Sequence, residues 1–456
     1  MLIDTHCHLD FKDFDHDRDD VINRALKAGV TKIINVASSI EGSCRAVELA
    51  NKYDMVYATV GVHPHDAKSV TDSAISELKA LTKDKKVVAI GEVGLDYYRN
   101  LSPKEDQVSA FKKFIYLALD LDLPLIIHAR EADRDALDIL KMEKREALRG
   151  VIHCFSGTAD FMKECLDIGF FISFTANITF KKADDLRIVA RDIPPERLLL
   201  ETDAPFLAPQ AMRGSRNEPA YLTHLAGEWS RLLDLSKDDV ARITTHNANS
   251  LFKLKLDEPS KIAYEIRDSL YLNITNRCTN SCYFCVRNQT SFVKGHNLKL
   301  DEEPSVDEII KAVNGAKKYR EIVFCGYGEP TLRLDAIKEA AGALKARGNV
   351  KIRVVTNGHG DLINSRKISK ELAGLVDKVS VSLNTDTAEA YYKYCKPEFG
   401  PDTYGGVIDF IKDCVRNKIE VEVTCLDLPG VDLKRCETIA KELGGVFRLR
   451  SLGVTG

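Results

Sequence analysis

The chain has 456 residues, 44% hydrophobic and 29% charged, with a formal net charge of −3. That length exceeds one ordinary domain, and the near-neutral balance argues against a globally basic nucleic-acid binder. No stretch approaches the ~20 apolar residues of a membrane helix. The start, Met1-Leu2-Ile3-Asp4, lacks the basic region of a secretory signal, so the expected location is cytoplasmic.

In chain order, short β-like runs fall at 2–8, 32–37, 56–62, 87–91, 123–128, 151–155, 170–174 and 198–203. Amphipathic stretches such as 19–28, 107–120 and 159–167 separate them. Eight such alternations predict an α/β domain over 1–254, a TIM-type (β/α)8 barrel, with a doubly wound open sheet as the competing architecture. The polar segment 255–268, which contains Pro259, is the expected linker. The alternation restarts with runs at 269–275, 322–326, 351–356, 378–383, 420–426 and 446–452, predicting a partial (β/α)6 barrel over 269–456. Eight of the twelve cysteines lie after residue 270, and nine of the eleven histidines before residue 250. Because a reducing cytosol disfavours disulfides, the two halves are expected to use different ligands: imidazole and carboxylate first, thiolate second.

His6 and His8, two apart, share one face of the first strand at its C-terminal end, where barrel active sites form. Glu92, His128, His153 and Asp203 fall at or near the ends of the fourth, fifth, sixth and eighth runs. Four imidazoles and two carboxylates converging at one mouth are costly if unpaired. Six ligands also exceed what one catalytic ion with an open position needs. A binuclear centre is therefore expected, with Glu92 bridging, His6, His8 and Asp203 on one ion, and His128 and His153 on the other.

The motifs Thr5-His6-Cys7-His8-Leu9-Asp10, Gly61-Val62-His63-Pro64-His65, Gly91-Glu92-Val93-Gly94-Leu95-Asp96-Tyr97-Tyr98, His128-Ala129-Arg130, His153-Cys154-Phe155-Ser156-Gly157 and Glu201-Thr202-Asp203-Ala204-Pro205 closely resemble the TatD family of metal-dependent hydrolases. The resemblance covers residues 1 to about 254 and implies a deoxyribonuclease, typically exonucleolytic from the 3′ end, using Mg²⁺, Mn²⁺ or Zn²⁺. Single-stranded or terminal DNA would be the substrate. Asp203 would accept a proton as well as ligate, Glu201 would assist at the mouth, and His63 and His65 would contact the phosphate. Arg99 and Arg130 would clamp phosphate oxygens, and Tyr97 and Tyr98 would stack on bases.

Cys278, Cys282 and Cys285 form Cys-x3-Cys-x2-Cys just after the run 269–275. Three thiolates at this spacing can hold one [4Fe–4S] cube with an open iron. Structural zinc wants four protein ligands, and no partner pair follows. The spacing, with Phe284 before the last cysteine, resembles the radical S-adenosylmethionine (SAM) superfamily signature. Downstream, Gly326-Tyr327-Gly328-Glu329-Pro330 resembles its Gly-rich SAM amino-group motif, Thr356-Asn357 the turn near the ribose, and Ser382-Leu383-Asn384 its fourth-strand motif. Taken whole, the pattern resembles the TatD-linked radical SAM proteins. It implies a 5′-deoxyadenosyl radical acting on an unassigned substrate, and an electron donor such as flavodoxin or ferredoxin. Cys325 and Cys425 are candidate thiols near that substrate; the remaining cysteines read as small buried hydrophobes. The competing reading is a non-nuclease amidohydrolase joined to a non-catalytic Fe–S sensory or binding module. Glu92 in the bridging role, with no strand-end lysine beside His128, favours the TatD-like type.

Overall fold

The computed structural model describes residues 1–315, 318–348 and 350–450. The chain divides into two units, Met1–Asp257 and the chain from Glu258 on. The first contains β1 (Leu2–Cys7), β2 (Val30–Asn35), β3 (Val56–Val60), β4 (Val87–Asp96), β5 (Leu125–Arg130), β6 (Gly150–Ile152), β7 (Phe171–Phe174) and β8 (Leu198–Leu200). They pair in parallel in sequence order. The last returns to the first: Asp203 N donates to His6 O and His8 N to Ala204 O, both at 2.8 Å. The ring closes as the expected barrel, which removes the open doubly wound sheet.

Strand alternation builds the site. Ile126, Val151 and Leu199 pack together with Ala248, Leu251 and Phe252 of the helix Lys237–Phe252. A Ser236–Asp239 capping box starts that helix, and its far end contributes to an apolar floor. Each leucine, isoleucine, valine or phenylalanine side chain buried there contributes roughly 1.5–3 kcal/mol. Two residues further along the same three strand directions stand His128, His153 and Glu201, so the same face turns from apolar to polar toward the C-terminal ends. β4 runs past the expected end at Gly91 to Asp96, because Val93 and Leu95 are buried and continue the pairing with β5. Glu92 is therefore mid-strand rather than terminal.

The second unit contains β9 (Ala263–Ile266), β10 (Ser269–Asn273), β11 (Phe292–Val293), β12 (His296–Asn297), β13 (Glu321–Cys325), β14 (Ile352–Thr356), β15 (Lys378–Asn384), β16 (Glu420–Leu426) and β17 (Val446–Arg450). Its main sheet has the order β17-β16-β15-β14-β13-β10-β9, and β11 pairs only with β12. The six expected strands form the parallel partial barrel; positions 451 and 452 of the last expected run lie outside the described residues. β9 lies inside the segment expected to be linker and pairs antiparallel with β10 through the two-residue turn Arg267–Asp268. Tyr264 and Ile266 are its buried positions. Four residues without an Asn-Gly turn carry little hairpin signal in sequence. Among the described residues, no helix is long and apolar enough to cross a membrane.

Candidate active sites

At the mouth of the first barrel, Glu92 is the hub. Its Oε1 lies 2.7 Å from His128 Nδ1, 2.8 Å from His153 Nε2 and 3.5 Å from His63 Nε2. Its Oε2 lies 3.6 Å from His6 Nε2 and 3.9 Å from His8 Nε2. Asp203 Oδ1 stands 3.6 Å from His6 Nε2 and 3.4 Å from His8 Nε2. The six expected ligands are thus brought together, with one Glu92 oxygen facing His6 and His8 and the other facing His128 and His153. Besides His6, His8 and Asp203, three groups of donors are compact enough for an ion: His6, His153 and Glu201; His63, His65 and Asp96; and His63, Glu92 and His128.

The electrostatics are those of a site that wants positive charge. Burial pushes the Glu92 carboxyl up, but the His153 and His63 charges and the His128 hydrogen bond outweigh it and hold it well below the usual carboxylate range. Burial pushes His8 down, but Asp203 reverses this and raises it to about 9. Desolvation instead wins at His6 and His63, which are lowered. Nitrogen and carboxylate donors in this number suit Zn²⁺ or Mn²⁺, with carboxylates open to Mg²⁺. His6 Nδ1 and His153 Nδ1 are buried without a hydrogen bond. These residues fit a pair of divalent cations.

Glu201 differs from expectation. Its Oε1 accepts from Cys154 N at 2.6 Å and its Oε2 from Ser173 Oγ at 2.7 Å, beside His153 Nδ1 at 3.5 Å. It is 1% exposed and sits beside His6 and His153. His65 Nε2 is 2.8 Å from Asp96 Oδ2, which is also 3.3 Å from His128 Nε2. Asp96 was missed as a functional residue. The signal was its spacing: it lies four positions past Glu92 on one strand, hence on the same face. Asp4, also missed, accepts from Thr202 N at 2.9 Å and Thr202 Oγ1 at 2.5 Å, tying β1 to the turn that carries Asp203. At the rim the Arg130 guanidinium covers the exposed Tyr98 ring at 4.0 Å. Arg99 is exposed, anchored by its backbone N–H to Asp96 Oδ1 at 2.7 Å. Tyr97 is turned away, its hydroxyl donating to Asp135 at 2.9 Å.

In the second unit, the loop carrying Cys278, Cys282 and Cys285 is held from two sides. Ser281 N donates to Cys395 O at 3.0 Å and Glu398 N to Thr279 O at 2.9 Å. On the other side Glu329 N donates to Arg277 O at 2.7 Å. A Cβ at Gly328 would lie 2.0 Å from that carbonyl, so only glycine fits. Burial raises Cys278 to about 11 and also raises Cys285, while the Arg287 guanidinium, stacked 5.3 Å over Tyr327, opposes both. Cys395 is not merely a small hydrophobe: the Cys282 thiol lowers its pKa, and its sulfur accepts from Asn384 Nδ2 at 3.6 Å. Three thiols on one loop fit a thiolate-bound cluster.

The Glu329 carboxylate is engaged within the protein. Its carboxylate accepts from Thr331 N at 3.0 Å, Thr331 Oγ1 at 2.6 Å, Thr356 Oγ1 at 2.7 Å and Asn357 N at 2.7 Å. Three of these donors converge on Oε1 and one on Oε2, which locks the Gly-rich loop to the end of β14. Asn357 Nδ2 donates to Thr279 Oγ1 at 3.0 Å and reaches to 4.0 Å from Cys278 Sγ, linking that lock to the cysteine loop. Gly326, Ser382 and Asn384 stand at the same strand-end side, and Phe284 packs on the core. Cys425 is buried in that core with Cys436, whereas Cys325 is partly open.

Residues 3–253 match the family model for TatD related DNase. The chain belongs to the TatD-related DNase family. Residues 272–443 match the Radical SAM superfamily, so the hydrolase domain is fused to a radical SAM domain. The uncharacterized metal-dependent hydrolase YabD of Bacillus subtilis is 43% identical over 254 residues, covering 56% of this chain and 100% of that protein. The 3′-5′ ssDNA/RNA exonuclease TatD of Cronobacter turicensis is 37% identical over 256 residues, covering 55% and 97%. Among solved structures, YJJV, a TatD homolog from Escherichia coli K12, matches with a TM-score of 0.53 at 33% identity, over 56% of this chain and 98% of that one. The TatD-type half is a metal-dependent hydrolase domain, and both halves belong to enzyme families.

Proposed function

We propose that the first domain hydrolyses phosphodiester bonds of DNA from the 3′ end, at a centre of two divalent cations held by His6, His8, Glu92, His128, His153 and Asp203. The observation that carries this reading is Glu92, whose two oxygens face different imidazole sets. The named exonuclease relative, with which nearly its whole length aligns, supports the substrate class. Two such cations would supply Lewis-acid polarisation of the phosphate and a more acidic water. Asp203, at the open side of the cluster, takes the proton of the attacking water. His63 and His65 orient the phosphate, with Asp96 holding His65. Glu201 keeps the His153 ring in place. Arg130 on Tyr98 offers a cation and an aromatic face at the rim, suited to a phosphate and a terminal base.

For the second domain we propose SAM cleavage at a [4Fe–4S] cluster on Cys278, Cys282 and Cys285, with an external one-electron donor such as flavodoxin or ferredoxin. The cluster and SAM would supply a 5′-deoxyadenosyl radical. Arg287 favours the thiolate form of all three cysteines. The Gly326–Gly328 backbone lies against the residue before Cys278, where it can reach SAM's amino-acid end. Thr356, Asn357, Ser382 and Asn384 stand on the following strand ends. All twelve cysteines are free thiols, which suits a cytoplasmic, reducing setting.

The test is an anaerobic assay of the full chain. With Mn²⁺ and 3′-labelled single-stranded DNA, label should leave first; with SAM and dithionite, 5′-deoxyadenosine should form. Intact DNA over the full range of divalent metals would defeat the first reading. Stoichiometric zinc without iron would defeat the second.

A further inference from the structure

The mouth of the first barrel carries aromatic rings that the ligand set does not use. Phe11 follows β1, and its ring lies over His8 with centroids 4.6 Å apart and planes 21° apart. Phe206 follows β8, three residues past Asp203. Its ring stands upright to both neighbours, 6.0 Å and 79° from Phe11 and 6.2 Å and 67° from His8. The two phenylalanines therefore make a corner one ring away from a candidate metal ligand. A flat group stacked on Phe206 would meet Phe11 at its edge, the arrangement aromatic rings prefer to a sandwich.

The Phe206 ring is 52% exposed on a backbone that is held fast. Phe206 N donates to Asp203 O at 2.9 Å, and Asn217 N to Pro205 O at 3.0 Å. The buried Asn217 side chain donates to Phe206 O at 2.6 Å and to Thr202 O at 2.8 Å. A single exposed apolar side chain is ordinary on a protein surface. This one is fixed in place beside a cluster of buried ligands, and the pattern recurs across the mouth. The strands pair in sequence order and β8 closes onto β1, so in a ring of eight the β1 and β8 ends lie opposite the β4 and β5 ends. Tyr98, just past β4 and 55% exposed, lies there under Arg130 of β5. Two open aromatic faces thus flank the Glu92-centred cluster from opposite sides. That spacing suits two successive bases with the phosphate between them. It requires the bases to be unpaired, because duplex bases present edges and not faces.

We propose that the Phe11–Phe206 corner is a nucleobase site, which seats the base on the 5′ side of the cleaved bond while Tyr98 and Arg130 take the terminal nucleotide. Stacking on a phenyl face is tolerant of base identity, so the site accepts all four bases. The role of the site in cleavage rests on the phosphodiesterase reading above.

The test uses the full chain with Mn²⁺ and single-stranded oligonucleotides that carry an abasic residue at the terminal or the penultimate 3′ position. The first nucleotide released is followed. In wild type, loss of the penultimate base should lower kcat/KM by about 5- to 150-fold. Phe206→Ala, which removes an exposed ring and spares the core, should bring the intact-to-abasic ratio at that position to near one. The ratio at the terminal position should stay as in wild type. Phe206→Trp should restore the penultimate ratio, whereas Phe206→Leu, apolar without a flat face, should not. A penultimate base without effect in wild type, a ratio indifferent to Phe206→Ala, a collapse at the terminal position instead, or full rescue by leucine would each overturn the site. If no divalent metal supports cleavage, the hydrolase reading falls separately, and the corner is read by binding. With Mg²⁺, 2-aminopurine at the penultimate position of the uncleaved oligonucleotide should be quenched by wild type and not by Phe206→Ala. Fluorescence that is the same with both proteins would overturn the site.

Discussion

Glu92 and His128 meet at 2.7 Å from neighbouring strands of a closed barrel, while the other Glu92 oxygen faces His6 at 3.6 Å. One carboxylate thereby addresses two sets of ligands. On its far side His128 is held by Asp96, at 3.3 Å from Nε2. A carboxylate behind a ligating imidazole fixes ring orientation and raises basicity, and its loss costs about 10–100-fold in metal affinity. Asp96→Asn should weaken Mn²⁺ binding, measured by calorimetry, by about that factor without unfolding the barrel. Unchanged affinity would remove Asp96 from the metal site's support.

Glu329 answers four donors with one carboxylate. Glu329→Gln puts an NH₂ group against an N–H or hydroxyl. It should destabilise the second domain by about 1–3 kcal/mol and weaken SAM binding through the displaced Gly-rich loop. Urea denaturation and equilibrium dialysis with SAM read the two effects. Weaker SAM binding without any loss of stability would instead mean that the side chain touches the cofactor.

His359 is a buried pH probe beneath the cysteine loop, bonded to Thr279 next to Cys278. Burial lowers it to about 4, against ~6.5 for an unfolded histidine. Its ring lies 2.8 Å from both Thr279 Oγ1 and Tyr391 Oη. Between these pKa values the unfolded chain binds the extra proton, so stability should fall as pH drops from about 6.5 to 4. Above about 6.5 this contribution is fully present. His359→Gln should remove that part of the pH dependence in denaturant titrations; an identical pH profile would refute the assignment.

Cys282→Ala should abolish the broad visible absorbance of the anaerobically reconstituted cluster, since one of three thiolates is lost. Cys395→Ala, which removes the thiol that acts on Cys282 and accepts from Asn384, should keep the absorbance and shift the cluster's reduction potential. Loss of iron from Cys395→Ala would promote that residue to a ligand.

Much of both sites was legible because strand periodicity is strict. His6 and His8, or Glu201 and Asp203, announce a shared face by their spacing. What spacing cannot show is what else reaches a side chain. Glu201 looks like a mouth residue until Cys154 and Ser173, from two other strand ends, engage both its oxygens. Glu329, read from its motif alone, gives no sign that Thr331, Thr356 and Asn357 also bond its carboxylate. Asp96 was hidden because β4 was expected to stop at Gly91, and the pairing that extends it belongs to β5. β9 was hidden because four residues gain their stability from the neighbouring strand rather than from their own pattern.

The central claim is that the Glu92-centred cluster is a hydrolytic metal centre. The most direct test measures metal content and Mn²⁺-dependent release of 3′ nucleotides from single-stranded DNA in wild type and Glu92→Gln side by side, with circular dichroism to verify folding. The account predicts a folded variant with reduced metal content and cleavage at background. A folded Glu92→Gln that retains wild-type cleavage would contradict it.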